Sequence, residues 1–270
     1  VTQGRSDSTV RTYVYNVSLF LRWCAGARLN PTELTSIDIA RWFISQAKRS
    51  RSTAVSRLMA VRSYCRFLVA AGELEADPTV GISAHRPRVE AREPYSMDEL
   101  HRLLAAADLR EQSILLFAVG SACRRSEIFG LRLEDIDRSS GLVLIRQGKG
   151  AKQRRVAPGS RSLAVLKRYA QGRTSGVIWS TAFGKPLSGY GAYKLLRELA
   201  DRANVPGATF HRFRVTAATW FMEKGMALDE LQEVLGHADI GTTAHYAAHN
   251  RRDHALRRQH KLSLANRLVA

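Results

Sequence analysis

The sequence has 270 residues, 45% of them hydrophobic, which allows one large domain or two modest ones and excludes wholesale disorder. Against 24 Asp and Glu stand 42 Lys and Arg, a formal net charge of +18. An imbalance of that size self-repels, so a polyanion is the expected partner, nucleic acid being the commonest, with a solubilising basic surface as the plainer alternative. No apolar run is long enough for a membrane span, and no signal-peptide pattern opens the chain. The three cysteines, Cys24, Cys65 and Cys123, form no CxxC or Cys/His cluster, which argues against a disulfide framework or a zinc site. The expectation is a soluble, intracellular protein without membrane association.

The charge is spread rather than gathered in a tail: residues 1–90 carry 13 Lys/Arg against 7 Asp/Glu, and residues 91–270 carry 29 against 17. Both parts are therefore expected to touch the polyanion. In chain order, residues 8–21 are predicted to form an amphipathic helix capped by Ser8, with Val10, Val14, Val17 and Leu21 sharing a face with Tyr13 and Phe20. After the turn Arg28-Leu29-Asn30-Pro31, a second helix is predicted over 36–47, with Ile39, Phe43 and Ile44 apolar. A third, over 52–72, sets Val55, Leu58, Met59, Cys65, Leu68 and Val69 on one side and stops at Gly72. Arg57, Arg62 and Arg66 lie elsewhere on it and are candidate DNA-phosphate contacts, ordinary helix solubility being the alternative.

Residues 82–94 are charged, broken by Pro87 and Pro94 and without a period, and read as a linker between a helical domain over 1–81 and a second domain over 95–270. Ser96 followed by Asp98 and Glu99 looks like a cap and an acidic first turn, so a helix should begin there. The second region is mostly helical. Its exception is a pair of β-prone runs, 142–146 and 154–156, flanking a Gly-Lys-Gly turn, which reads as a hairpin. There is no repeat of 20–50 residues, no Walker phosphate loop and no GxGxxG.

Several polar residues are set into otherwise apolar stretches. Arg124, Arg125 and Glu127 follow Ile114-Leu115-Leu116-Phe117, and Lys149 sits in the hairpin turn with Lys152 close by. His211 and Arg214 are three apart, hence neighbours on one helical face. His237 follows Leu235-Gly236, and Tyr246 comes nine residues later. Each piece alone is unspecific. Arg-Arg-Ser-Glu is usually a helix-end charge pair, and a tyrosine here could simply cover a helix end. Together the residue types suit attack on a phosphodiester without metal or cofactor. Guanidiniums can hold the non-bridging oxygens as negative charge develops, a lysine can protonate the leaving oxygen, and histidines can donate to the phosphate or relay a proton. A tyrosine, a poor nucleophile at its ordinary pKa, becomes easier to ionise among so many cations.

The order Arg, Lys, His-x-x-Arg, Leu-Gly-His, Tyr resembles the tyrosine recombinase (phage integrase) family over nearly the whole chain. The resemblance implies a mainly α architecture: an N-terminal helical core-binding (SAM-like) domain and an α+β catalytic domain with a small β-hairpin. It implies a site-specific DNA recombinase acting through a 3′-phosphotyrosyl intermediate and a Holliday junction, with no metal and no ATP. Carried over residue by residue, the catalytic set is Arg124, Lys149, His211, Arg214, His237 and Tyr246, with Glu127 supporting the first arginine. It further implies double-stranded DNA as partner, a homo-tetramer on DNA, and a cytoplasmic, nucleoid-associated location. A type IB topoisomerase and a non-catalytic DNA-binding protein of the same fold remain the alternatives.

The sequence departs from the family pattern at Ala122-Cys123, where Gly-Leu or Gly-Met is usual, and at Phe213 and Val215, where Leu and His are usual. Helix one begins almost at once and the chain opens on Val1. This leads to the expectation of simple core sites, or of a chain trimmed of an arm-binding domain. Beyond Tyr246, Leu256, Leu262, Leu264, Leu268 and Val269 are apolar and Arg257, Arg258 and Lys261 keep the other side wet, which predicts a tail helix that packs on its own domain or on a neighbouring protomer.

Overall fold

A computed structural model describes residues 7–48, 50–84, 93–146 and 153–236. The chain divides into two compact units, Val1–Glu90 and Ala91–Ala270.

The first unit contains α1 (Asp7–Gly26), α2 (Ser36–Ala47) and α3 (Arg51–Ala70), with α3 packed against both others. Its core joins Phe20, Cys24, Ile39, Trp42, Leu58, Val61 and Cys65, and Phe20 meets Trp42 edge-on at 4.9 Å between centroids. Thr35 and Asp38 close a reciprocal capping box at the start of α2. Ser50 caps α3 by accepting from the Thr53 amide, and Gly72, at φ 76°, turns the chain out of it.

Two sequence readings need correction here. Asp7 is already helical, so Ser8 lies inside α1 and not at its cap, and the helix runs on to Gly26. Its buried stripe is Asn16, Phe20 and Cys24, whereas Val14 is 63% exposed. Trp23 and Cys24 continue the apolar pattern beyond Leu21 and pull the buried face round the helix. In α2 the buried partner of Ile39 is Trp42, while Ile44 faces solvent. The arginines of α3 differ from one another. Arg57 donates to Gln46, and Arg62 donates to the Ile82 carbonyl at 2.9 Å and the Thr79 carbonyl at 3.4 Å, holding the loop after α3. Arg66, by contrast, is open to solvent and lies 3.7 Å from Asp77.

The second unit contains α4 (Met97–Ala106), α5 (Leu109–Ser121), α6 (Arg125–Phe129), a 3₁₀ turn (Leu133–Asp135), β1 (Val143–Ile145), β2 (Arg154–Val156), α7 (Ser160–Ala170), α8 (Gly189–Arg202), α9 (Phe210–Glu223) and α10 (Leu228–Leu235). Ser96 and Glu99 form the capping box that starts α4, and Asp108 and Glu111 repeat the device for α5. The apolar α5 is the spine, packed against α7, α9 and α4. Trp179 is fully buried against Phe117 and Phe129, and its indole N–H donates to Ser113 Oγ at 2.8 Å, so the large ring is buried without an orphaned donor.

The hairpin is antiparallel, with Val143 opposite Val156 and Ile145 opposite Arg154. Its first strand is one residue shorter at each end than predicted. The chain is thus mainly α, with a helical first unit and one small hairpin among the described residues of the second. No described helix is long and apolar enough to cross a membrane.

Candidate active site

The site begins where α5 ends. Ala122 turns the chain in the left-handed region at φ 52°. It is fully buried in a small cluster with Ala217, Ala218, Leu231 and Leu235. The glycine usual in the family would make this turn more easily, and here the buried methyl offsets part of the strain. Arg124 follows as the residue before α6. Its amide donates to Glu127 Oε2 at 2.7 Å, its Nη1 to Glu127 Oε1 at 2.9 Å, and its Nη2 to the Gly236 carbonyl at 3.3 Å.

Arg214 comes from α9 and is 3% exposed. Its Nη1 donates to the Ala122 carbonyl and its Nη2 to the Leu235 carbonyl, both at 2.8 Å. The start of α9 is fixed by Tyr95, whose hydroxyl accepts from the Thr209 amide at 2.9 Å and donates to the Thr209 carbonyl at 3.2 Å. Arg212 stacks over the Tyr95 ring at 4.1 Å and donates to Glu99 at 2.7 Å. Phe213 packs on Tyr95 at 4.5 Å between centroids, so this departure from the family pattern fills the core beneath the site. His211 lies one turn before Arg214, on the exposed side of α9.

Glu127 is almost wholly enclosed, with its side chain 2% exposed. Burial pushes its carboxyl up, but the hydrogen bond from Arg154, the Arg124 amide, the charge of Arg154 and the hydrogen bond from the Arg124 side chain outweigh this and hold it below its ordinary value of 4.5. Burial pushes the Cys123 thiol up to about 11, so it stays protonated beside the arginines and is no rival nucleophile.

The structure therefore brings Arg124, Glu127 and Arg214 together at the end of α10, with His211 one turn away on α9. Lys149, His237 and Tyr246, with Lys152 and the tail, lie outside the described residues. Arg154 was missed by the sequence reading. A signal existed: on β2 it shares a face with buried Val156, and a charge on an inward strand face needs a buried partner. Among the described residues no group of His, Cys, Asp and Glu is placed to hold a metal ion.

Residues 95–253 match the phage integrase family, and residues 1–72 match the phage integrase N-terminal SAM-like domain. A tyrosine recombinase XerD of Halalkalibacterium halodurans is 28% identical over 265 residues, covering 91% of this chain and 88% of that protein. Among solved structures, the XerH site-specific recombinase in a post-cleavage complex with palindromic difH substrate superposes with a TM-score of 0.74 at 18% identity, over 95% of this chain and 80% of that one. A lambda integrase tetramer bound to a Holliday junction gives 0.71 at 17% identity, over 91% and 73%.

Proposed function

The chain belongs to the phage integrase family, and from that premise we propose that it is a site-specific recombinase that cuts and rejoins double-stranded DNA through a 3′-phosphotyrosine on Tyr246. Arg124, Arg214, His211 and His237 hold the scissile phosphate. The Tyr246 phenolate attacks phosphorus, the bond to the 5′ oxygen breaks, and Lys149 supplies the proton that the leaving oxygen takes up. The 5′-hydroxyl of a partner duplex then attacks the phosphotyrosine, returning its proton to Lys149, and releases the Tyr246 phenolate. The bond energy is kept in the ester, so ATP is not required, and the built-in guanidiniums do the work a metal would otherwise do. The observation that carries this reading is the meeting of Arg124 and Arg214, from separate elements, on adjacent carbonyls of one helix end, with Glu127 enclosed behind Arg124.

Four protomers exchange strands in turn on DNA in the cytoplasm, as the lambda integrase tetramer bound to a Holliday junction suggests. The tail beyond Tyr246 is assigned to the neighbouring protomer, a contact that closes into a ring. Deleting residues 253–270 should then spare binding to a half-site and abolish strand exchange. The experiment that tests the function is capture of covalent protein–DNA junctions across the genome, repeated on a nicked duplex of the recovered sequence with excess EDTA. A defined site and an EDTA-resistant covalent product support the reading. Supercoil relaxation without a site favours a topoisomerase, and site binding with no covalent product favours a non-catalytic protein.

A further inference from the structure

Arg154 uses its whole guanidinium inside the protein. Nη1 and Nη2 donate to the two oxygens of Glu127 at 3.0 and 2.8 Å, and Nε donates to the Val234 carbonyl at 2.9 Å. Both of its terminal nitrogens are committed to the Glu127 carboxylate, so it serves that carboxylate and not a phosphate. Its consequence for Arg124 is electrostatic. One carboxylate between two guanidiniums leaves a single positive charge unmatched. Without Arg154, the Arg124–Glu127 pair would be neutral, and its hold on a developing phosphorane charge correspondingly weak.

The same side chain governs the end of α10. The last carbonyls of a helix lack partners within it and attract cations. Here three consecutive ones, Val234, Leu235 and Gly236, accept from Arg154, Arg214 and Arg124 at 2.9, 2.8 and 3.3 Å. Gly236 turns at φ 62°, and a Cβ there would lie 3.0 Å from Arg154 Cδ and Nη1. The left-handed turn favours a glycine before His237, and a side chain there would press on the arginine lying against it.

We infer that Arg154 is a positioning residue for the phosphodiester chemistry: by occupying Glu127 it leaves the charge of Arg124 to the phosphate, and by holding Val234 beside Gly236 it fixes the point from which the chain runs on to His237. The inference rests on the recombinase reading for its chemical consequence, while its structural half stands apart from it.

The test uses the full chain as Arg154→Lys, Arg154→Met and the double variant Arg154→Met/Glu127→Gln. Hydrogen exchange without DNA reads the peptide spanning 231–240. Single-turnover formation of covalent product, on the nicked duplex recovered by junction capture, reads the chemistry. Lysine keeps the charge and the fold but cannot make three directed contacts, so exchange at the end of α10 should rise about tenfold or more and cleavage should slow about 10- to 100-fold, with half-site affinity within about threefold. Arg154→Met should be slower still, and adding Glu127→Gln should regain about tenfold, because removing both charges returns the unmatched one to Arg124. A merely structural arginine would give no regain. The inference is overturned if Arg154→Lys exchanges and cleaves as wild type, or if the double variant is no faster than Arg154→Met. Should Arg154→Met fail to fold, the lysine variant decides alone. If the wild type gives no covalent product, the recombinase reading falls, and the exchange measurement still decides whether Arg154 holds α10.

Discussion

Arg214 reaches from α9 to the last residue of α10, where its Nη2 donates to the Leu235 carbonyl at 2.8 Å. Its Nη1 meanwhile serves the Ala122 carbonyl, so one planar fork ties together the two turns that flank the site. A lysine can serve only one of them. Arg214→Lys is expected to slow covalent product formation by about 10²- to 10³-fold, the loss typical of one donor to a developing oxyanion. Denaturant unfolding should register about 1–3 kcal/mol for the carbonyl left unpaired. A cleavage rate indistinguishable from wild type would contradict this placement.

Acid should weaken the fold through Glu127. Its carboxyl is held below its ordinary value of 4.5 in the folded protein, so the folded state binds that proton less readily than the unfolded chain. The contribution is complete above 4.5, declines as pH falls below it, and is lost once the folded carboxyl itself takes up the proton. The urea midpoint of the wild type should drop as pH falls below the ordinary value of 4.5, and Glu127→Gln should flatten that drop. Parallel curves for the two proteins would show that Glu127 has no part in it.

Tyr95→Phe probes the anchor of α9. The ring is 4% exposed and would stay in place, but the Thr209 amide would lose its 2.9 Å acceptor. Stability should fall by about 1–3 kcal/mol. Cleavage should slow as well, because His211 and Arg214 ride on the same helix. Unchanged stability would mean that water replaces the hydroxyl at no cost.

How far the sequence could be read depended on the range of each interaction. The start of α4 was legible because Ser96 and Glu99 form a box within one turn. The hairpin was legible from β-prone runs on either side of a glycine turn. The buried face of α1 was misjudged because Trp23 and Cys24 lay beyond the predicted end. Arg57 and Arg62 are candidate phosphate contacts in the sequence, with helix solubility as the alternative, and their partners within the protein, Gln46 and the 79–82 loop, are set by packing that no local pattern encodes. Arg154 was overlooked for the same reason: Glu127 lies 27 residues away in sequence. Arg124 and Arg214 were singled out by motif order, whereas their shared helix end needed the fold.

Lys149 is assigned as the acid, with Lys152 as its rival. Lys149→Ala should cleave ordinary DNA poorly, and a substrate with sulfur in place of the bridging 5′ oxygen should restore cleavage, since a thiolate leaves without a proton. Rescue confined to Lys152→Ala would move the role there.

The central claim is that Tyr246 is the nucleophile, and covalent trapping tests it most directly. On a nicked duplex of the recovered site, the wild type should form a covalent product whose DNA-linked peptide carries Tyr246 and whose released strand bears a 5′-hydroxyl. Tyr246→Phe should bind the same duplex within about twofold, only a hydroxyl being lost, and form no covalent product. Covalent product from the phenylalanine variant, or a DNA link mapped to any other residue, would contradict the account.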